Sequence, residues 1–184
     1  MEMISKMYKK MGLVMVFVVC LLCLCGCDKD NNVSENSNES NKVSIVEENF
    51  DMSGAGELYC TTEAYAGDDV SVDLNYRLTY KRGNILKLRS IAKITSDNQD
   101  SLDQYENAYQ KIATNYEDLK YYDVSLIRDS NTVVYDTTIN YSEIDIKKLL
   151  DIEGEEDNII EDGKAKLSLW LDLAERVGTT CEEV

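Results

Sequence analysis

Cys27 is the residue of this sequence whose chemistry its neighbours specify best. It ends an apolar run, residues 11–27, which follows three lysines and precedes an acidic run rich in Asn and Ser. A basic start, an apolar centre and a small residue at the cut site are typical of a secretory signal. Leu24, Cys25, Gly26 and Cys27 have the form of a lipobox, in which the last thiol accepts a lipid. Cys25 departs from the usual Ala, Ser or Thr but is also small.

We therefore expect residues 1–26 to be a lipoprotein signal peptide and Cys27 to attach the chain to the extracytoplasmic face of the cell membrane. The alternative is that the run stays as an uncleaved anchor. Its roughly fifteen apolar residues are short for a span, which needs about twenty. Residues 27–42 have almost no apolar side chains, so they predict a flexible acidic and polar linker.

Two further thiols, Cys60 and Cys181, are predicted to form a disulfide. Once the signal peptide is cut and Cys27 is lipidated, they are the free thiols that remain. Paired cysteines can oxidise and persist in an extracytoplasmic compartment. Each lies in a predicted strand, so the bond would join the first strand to the last segment. Two unpaired thiols in a weakly oxidising envelope are the open alternative.

Carboxylates concentrate in residues 151–163, the one cluster that merits testing as a metal site. Calcium prefers oxygen ligands, and the segment offers them at Asp151, Glu153, Glu155, Asp157 and Asp162. The EF-hand pattern is not met, because Glu156 stands where the turn glycine belongs and the last acid is Asp. We therefore expect a solvated acidic loop, with no metal and no other cofactor.

The overall composition excludes several classes of function. The 184 residues include 19 basic and 35 acidic side chains, a net charge of −16, and no histidine. This acidity argues against nucleic acid as a partner, because neutralising phosphates requires a basic surface. It also leaves membrane attachment to the lipid on Cys27. Without histidine, Ser-His-Asp and Cys-His catalysis and the usual zinc and copper ligand sets are excluded.

Alternating side chains predict a hairpin at the centre of the domain. Residues 70–80 alternate Val, Leu or Tyr with polar side chains, and residues 57–66 predict a strand before them, with a turn at 67–69. Residues 84–95 give the partner strand. A three-residue loop, 81–83, with Gly83 in the left-handed region keeps both apolar sets on one face. It would pair Leu78 with Leu86 and Tyr76 with Leu88.

A helix is predicted next, from apolar residues spaced by three and four: Leu102, Tyr105, Ala108, Tyr109, Ile112 and Tyr116. We expect Ser101 and Gln104 to form a capping box. The tyrosines are expected to pack on the sheet rather than to make a ligand platform.

A second hairpin is predicted from residues 120–128 and 132–141, around a turn at 129–131. The register of its first strand stays open, because Ile127 competes with Tyr122, Val124 and Leu126 for the core. Ser142 is expected to cap a short helix, 143–150, before a loop at 151–163. Residues 164–177 predict a closing helix, although its first residues could be a strand. Gly178 suits the position just past the end of that helix. Residues 179–184 predict an edge strand.

Strands in runs, with helices between the hairpins, predict an α+β fold. We expect a two-layer sandwich in which helices cover one face of an antiparallel sheet, formed by a single domain at residues 43–184.

Two segments resemble the YehR-like family of small bacterial lipoproteins. Residues 135–150, YDTTINYSEIDIKKLL, have a charged strand, a Tyr-Ser pair, an Ile-Asp step and the Lys-Leu start of a short helix. Residues 76–87, YRLTYKRGNILK, resemble the hairpin of that family. The resemblance implies a two-layer α/β sandwich with an antiparallel sheet. It brings no catalytic residues, because the function of the family is undetermined, and Cys60 and Cys181 lie outside its pattern.

The favoured function is a non-catalytic, lipid-anchored module that binds an unidentified envelope protein or ligand. One alternative is a carboxylate-dependent envelope enzyme such as a glycosidase, which needs two acids facing each other across a cleft. A calcium-binding surface domain is the other.

Overall fold

Six antiparallel strands make up the larger of two sheets in the computed structural model, which describes residues 51–65, 69–152 and 158–184. In these residues the strands are β1 (Ala55–Tyr65), β2 (Val70–Lys81), β3 (Asn84–Ser96), β4 (Tyr122–Arg128), β5 (Thr132–Asn140), β6 (Ile160–Glu161), β7 (Lys164–Ala165) and β8 (Thr180–Glu183). The helices are α1 (Gln99–Tyr116), α2 (Ile146–Leu150) and α3 (Leu167–Arg176). The order across the large sheet is β4-β5-β3-β2-β1-β8, and β6 pairs with β7 in a separate small sheet.

The predicted alternation is confirmed in the central strands. Every second residue of β2 from Val70 to Tyr80 is buried, and on β1 Leu58, Cys60 and Thr62 are buried in the same way. Side chains on a strand point alternately to the two faces of the sheet. The apolar set of β1 and β2 therefore lies on one face, and the polar set lies on the other.

The predicted register of the β2–β3 hairpin is wrong by two residues. Leu78 pairs with Leu88 rather than Leu86, and Tyr76 pairs with Ser90 rather than Leu88. The loop has two residues, Arg82 and Gly83, both at positive φ (52° and 70°), because Lys81 already pairs with Asn84. Positive φ at both central residues is typical of the turn that matches the twist of a hairpin.

A two-residue loop by itself would put the apolar side chains of β2 and β3 on opposite faces of the sheet. A β-bulge at Leu86 brings them back to the same face. Thr79 pairs with Lys87 and Tyr80 with Ile85, so Leu86 is the extra residue of β3. A bulge inserts one unpaired residue in one strand. The apolar side chains of β2 and β3 thus share a face, as predicted, but through a two-residue loop and a bulge rather than a three-residue loop.

Helix α1 is buried along the predicted stripe at Leu102, Tyr105, Tyr109 and Tyr116, and Ile112 is partly buried. The predicted capping box at Ser101 and Gln104 is wrong, because the helix begins three residues earlier than that box requires. The Asn98 side chain accepts from the N–H groups of Asp100 (3.0 Å) and Ser101 (3.3 Å). Asn is among the preferred caps, since its short side chain reaches these free N–H groups.

The structure settles the register of the second hairpin. Tyr122 is buried, Val124 and Leu126 are partly buried and pack on the core, and Ile127 is 57% exposed. On β5 the predicted inner residues Val133, Tyr135, Thr137 and Ile139 are buried, and Tyr141 is partly buried.

Two predictions for the C-terminal third need correction. Ser142 does not cap a helix over 143–150: its hydroxyl bonds Asn140 Oδ1 at 2.6 Å, and Asp145 caps the shorter α2 by accepting from Lys147 and Lys148 N–H. The segment predicted as a loop contains β6, whose partner β7 is the strand alternative left open for residue 164 onward. Asp162 and Gly163 make this turn at positive φ.

The end of the chain agrees with prediction. Helix α3 ends before Gly178, which has φ 77°, and β8 forms an edge of the large sheet beside β1. The described residues of the two core clusters, including those partly buried, all lie between Leu58 and Cys181.

Candidate functional site

Strand β4 lies at one end of the sheet order and pairs with β5 alone among the described strands. Two backbone bonds of 2.9 Å define the phase of this pairing: Asn140 N–H donates to the Tyr121 carbonyl, and Asp129 N–H donates to the Thr132 carbonyl. In an antiparallel ladder, residues that bond the partner strand alternate with residues that do not. The N–H and C=O groups of Val124 and Leu126 therefore point away from β5, toward the open edge.

A groove of about 430 Å³ lies beside this edge, between β4 and the C-terminal half of α1. Its helix side is a stripe of residues spaced by three and four, which share one helix face: Gln110, Ala113, Thr114 and Glu117. Its strand side is Tyr122, Asp123, Val124 and Leu126. The groove thus combines mainly polar and small exposed side chains with a strand edge whose outward backbone groups have no backbone partner among the described residues.

Stacked aromatic rings support the groove from the core side. The rings of Tyr116 on α1 and Tyr122 on β4 lie 4.2 Å apart and 11° from parallel, and both residues are buried. Stacked aromatic pairs of this kind contribute beyond the area they bury. They hold the helix and the strand at a defined separation at one end of the groove.

Arg128 joins β4 to α1 at the other end of the strand. Its guanidinium donates to Gln99 Oε1 at 2.7 Å and forms ion pairs of 3.5 Å with Asp103 and Glu106. The Arg128 side chain is 21% exposed, and one cation bridging three acceptors makes a network rather than an isolated surface pair. The two walls of the groove are therefore tied together.

The charge of the groove is negative. Glu117 and Asp123 are exposed, and none of its described lining residues is Lys or Arg. Arg128 is already engaged by Asp103 and Glu106. A cation placed in the groove would meet unneutralised carboxylates.

The polar side of the central strands has cations that carry their own counter-ions. Arg77 and Arg89 are cross-strand partners on β2 and β3. Arg77 pairs with Glu57, and Arg89 binds Asp136 with two bonds of 3.0 and 2.6 Å. Asp136 raises the pKa of the Arg89 guanidinium through this hydrogen bond and its charge. These cations are therefore already neutralised within the protein.

The tyrosines of α1 pack on the sheet, as predicted. Tyr109 stacks on Tyr135 of β5 with ring centroids 4.5 Å apart, and Tyr76 contacts Trp170 edge-on at 5.4 Å. Burial raises the pKa of both Tyr109 and Tyr76. Desolvation penalises the phenolate, so these hydroxyls stay protonated over the physiological range.

The predicted disulfide is present. Cys60 on β1 and Cys181 on β8 are direct cross-strand partners, with their α-carbons 4.0 Å apart and their sulfurs bonded. The bond links residues 121 positions apart in sequence. It fastens the edge strand β8 to the body of the sheet.

The calcium candidates are only partly described. Asp151 and Asp162 both line an open depression beside α2, together with Asp145, whose carboxylate caps that helix. Glu153, Glu155 and Asp157 lie outside the described residues. Among the side chains that the structure does describe, no group of three or more potential ligands is close enough to hold a metal ion. Calcium binding remains a prediction.

The two carboxylates that a glycosidase requires can be sought among the buried polar residues. In the described part of the chain these are Thr62, Ser96, Thr137 and Thr179, and none is an acid. The glycosidase hypothesis remains untested.

The lipidation residue Cys27 lies outside the described residues, as do the predicted signal peptide and linker. No helix in residues 51–65, 69–152 or 158–184 is long and apolar enough to cross a membrane.

The groove has little signature in the amino-acid sequence. Its one signal was the ambiguity of β4, where apolar Leu126 and Ile127 are adjacent and the alternation breaks down. A strand with an apolar residue on each face is consistent with a sheet edge, where the outer side chain is not needed for the core. The helix wall had no signal, because Ala113 and Thr114 look like ordinary helix surface.

No family model matches this chain, and no curated protein matches it. Two solved structures are similar. The NMR structure of a protein from Streptococcus pneumoniae TIGR4 shares 13% identity, with 85% of this chain and 100% of that chain covered and a TM-score of 0.47. The NMR structure of the E. coli YehR protein shares 17% identity, with 71% and 94% covered and a TM-score of 0.49. Both are distant likenesses and show no family membership.

Proposed function

We propose that this protein is a lipid-anchored, non-catalytic binding module on the extracytoplasmic face of the cell membrane, with an envelope protein as its partner. The observation that carries the binding role is the open edge of β4 beside the groove of α1. An open strand edge beside a groove is a common basis for the recognition of an extended peptide segment. The lipobox that ends at Cys27 supports the location.

The proposal includes two finer features of the molecule. The buried face of the large sheet and the buried stripes of α1 and α3 belong to one core cluster, which supports a two-layer sandwich with helices on one face. A place in the YehR-like family of lipoproteins is the second, and it is supported by the sequence resemblance of residues 135–150.

The anchor is tested by Cys27→Ser in cells. The thiol is the proposed acyl acceptor, so the variant should lose palmitate labelling and release the domain from the membrane fraction. Cys25→Ser is the matched control, because it keeps a small residue at that position and should label normally. Unchanged labelling of Cys27→Ser would refute the lipid anchor.

The binding role is tested by photo-crosslinking in intact cells. Benzoylphenylalanine at Thr114 would lie in the groove, whereas the same residue at Asp172 would lie on the exposed surface of α3. We expect one discrete adduct from position 114 and none from position 172. Equal adducts at both positions, or none at either, would contradict a binding site in the groove.

A further inference from the structure

We infer that β4 binds an extended segment of its partner protein as an added strand, and that this segment alternates basic and small apolar residues. This inference rests on the proposed binding role and specifies the ligand. The contact would extend the large sheet by one strand at its β4 edge.

The backbone of β4 is suited to this pairing. The N–H and C=O groups of Val124 and Leu126 point to the open edge, whereas those of Asp123, Ser125 and Ile127 point to β5. An extended segment alongside could therefore pair with two successive outward residues. Such main-chain bonds provide affinity with little demand on sequence.

The side chains of the added strand would be sorted by the groove. Neighbouring strands lie about 4.7–4.9 Å apart, and alternate residues point to opposite faces. Those on the helix side would meet Ala113, Thr114, Val124 and Leu126. Small apolar residues fit there, because Tyr116 and Tyr122 already occupy the space beneath.

The remaining requirement comes from charge. Glu117 and Asp123 are the charged residues among the described lining. Asp123 alternates with Val124 along β4, so its carboxylate faces the side of the sheet away from α1, where the basic side chains of an alternating segment would meet it. Glu117 adds a second negative charge at the end of the helix wall. Complementary charges favour encounter and exclude wrong partners. An acidic segment would be repelled by the same two residues.

A second copy of this chain is a poorer occupant. A second copy would add its own Asp123 and Glu117 to this edge, and each chain has a net charge of −16. Like charges at close range oppose such a contact. A basic partner segment relieves the repulsion that a second copy would add.

The test uses the chain from Asp28 onward, which retains every described residue of both core clusters. The probe is the peptide acetyl-Lys-Val-Lys-Val-Lys-Val-amide, and the readout is amide hydrogen exchange by NMR. At saturating peptide, exchange at Val124 and Leu126 should slow by on the order of tenfold or more. Ser125 and Ile127 are internal controls, since β5 already protects their amides.

Charge variants test the choice of peptide. Glu117→Lys with Asp123→Lys should weaken binding by on the order of tenfold. Asp172→Lys with Glu175→Lys changes the net charge equally but lies on α3, so its affinity should stay close to that of the parent protein. If both double variants weaken binding equally, the peptide responds to overall charge and the inference fails.

Backbone pairing between β4 and the peptide is tested with an N-methylated form of the peptide. N-methylation of alternate residues removes the donors that face β4 and keeps the charge, so binding should be lost. Retained binding of the methylated peptide would overturn strand addition. Protection of Val124 and Leu126 without peptide, rising with protein concentration, would identify a second copy as occupant and also overturn the inference.

The failure of this inference differs from the failure of the proposed function. If the peptide leaves Val124 and Leu126 unprotected at millimolar concentration, strand addition by a basic segment is wrong. The crosslink from position 114 and the lipid on Cys27 are measured in cells without the peptide, so they judge the binding role and the anchor separately.

Discussion

Gly56 and Tyr80 are cross-strand partners on β1 and β2, and the phenol ring of Tyr80 lies over the glycine. A Cβ on Gly56 would stand 2.6 Å from the Tyr80 hydroxyl oxygen. That hydroxyl donates to Glu183 Oε1 at 2.8 Å, so Tyr80 crosses β1 to reach β8. The missing side chain of Gly56 leaves room for this link between three strands.

Gly56→Ala should lower the free energy of unfolding by about 1–3 kcal/mol, because the added methyl group displaces a ring that is 2% exposed. Urea unfolding measures the change. Gly54→Ala is the control, since its Cβ would meet nothing nearer than 3.9 Å. Equal effects of the two substitutions would show that the Tyr80 ring does not depend on Gly56.

Cys60→Ala with Cys181→Ala should lower the free energy of unfolding by up to about 4–5 kcal/mol in the chain-entropy picture, because the bond closes a loop of 121 residues. Denaturation with and without reductant measures this loss. Reductant should destabilise the parent protein and leave the double variant unchanged. A parent protein whose native form titrates two thiols would contradict the bond.

Gly83→Val should lower the free energy of unfolding by about 1–2 kcal/mol, because Gly83 has φ 70° and a branched side chain resists the left-handed region. Apart from its chain neighbours, no described residue has an atom within 4 Å of the Cβ position, so the cost is conformational rather than steric. Gly54→Val, at a site where positive φ is not required, is the comparison for urea unfolding. If the two substitutions cost the same, Gly83 is not needed for the turn.

Tyr109→Phe should reduce the loss of stability at alkaline pH. Burial raises the pKa of Tyr109 above its ordinary value of 10.0, so the folded state keeps the neutral phenol. The resulting stability is present below about pH 10 and is lost as the pH rises further, since only the unfolded chain ionises there. Urea unfolding at a series of pH values should show a shallower decline for the variant. An unchanged decline would contradict this assignment.

At neutral pH the same variant should be as stable as the parent protein, or slightly more stable. The Tyr109 hydroxyl is buried and has no hydrogen-bond partner among the described residues. Removing an unsatisfied buried hydroxyl costs little, because no hydrogen bond is lost. A clear loss of stability at pH 7 would indicate that this hydroxyl has a partner after all.

Short-range sequence patterns predicted correctly those features that depend only on neighbouring residues in the chain. The alternation in residues 70–80 gave both the strand and its buried face, because the period of two is set by the backbone. Gly83 and Gly178 were predicted at positions that need positive φ, and both have it. The pairing of Cys60 with Cys181 followed from the number of thiols expected to remain.

The register of the β2–β3 hairpin and the cap of α1 could not be predicted, because the local sequence allows two alternatives for each. A three-residue loop and a two-residue loop with a bulge both put the apolar residues on one face, and pairing over the whole strand selects the second. Asn98 and Ser101 can both cap α1, and the position of the helix on the sheet selects Asn98. Short-range sequence cannot rank options that differ only in distant contacts.

The sequence by itself determined the long strands, the helices over residues 99–116 and 167–176, which of their faces are apolar, and the acidic charge of the chain. Only the tertiary structure decided that β4 is an edge, that Ile127 faces out, and that α1 lies beside Val124 and Leu126. An edge is a property of the whole strand order, and a groove requires walls from elements far apart in the chain. Neither is encoded in the period of any one segment, which is why the candidate site emerged from the packing.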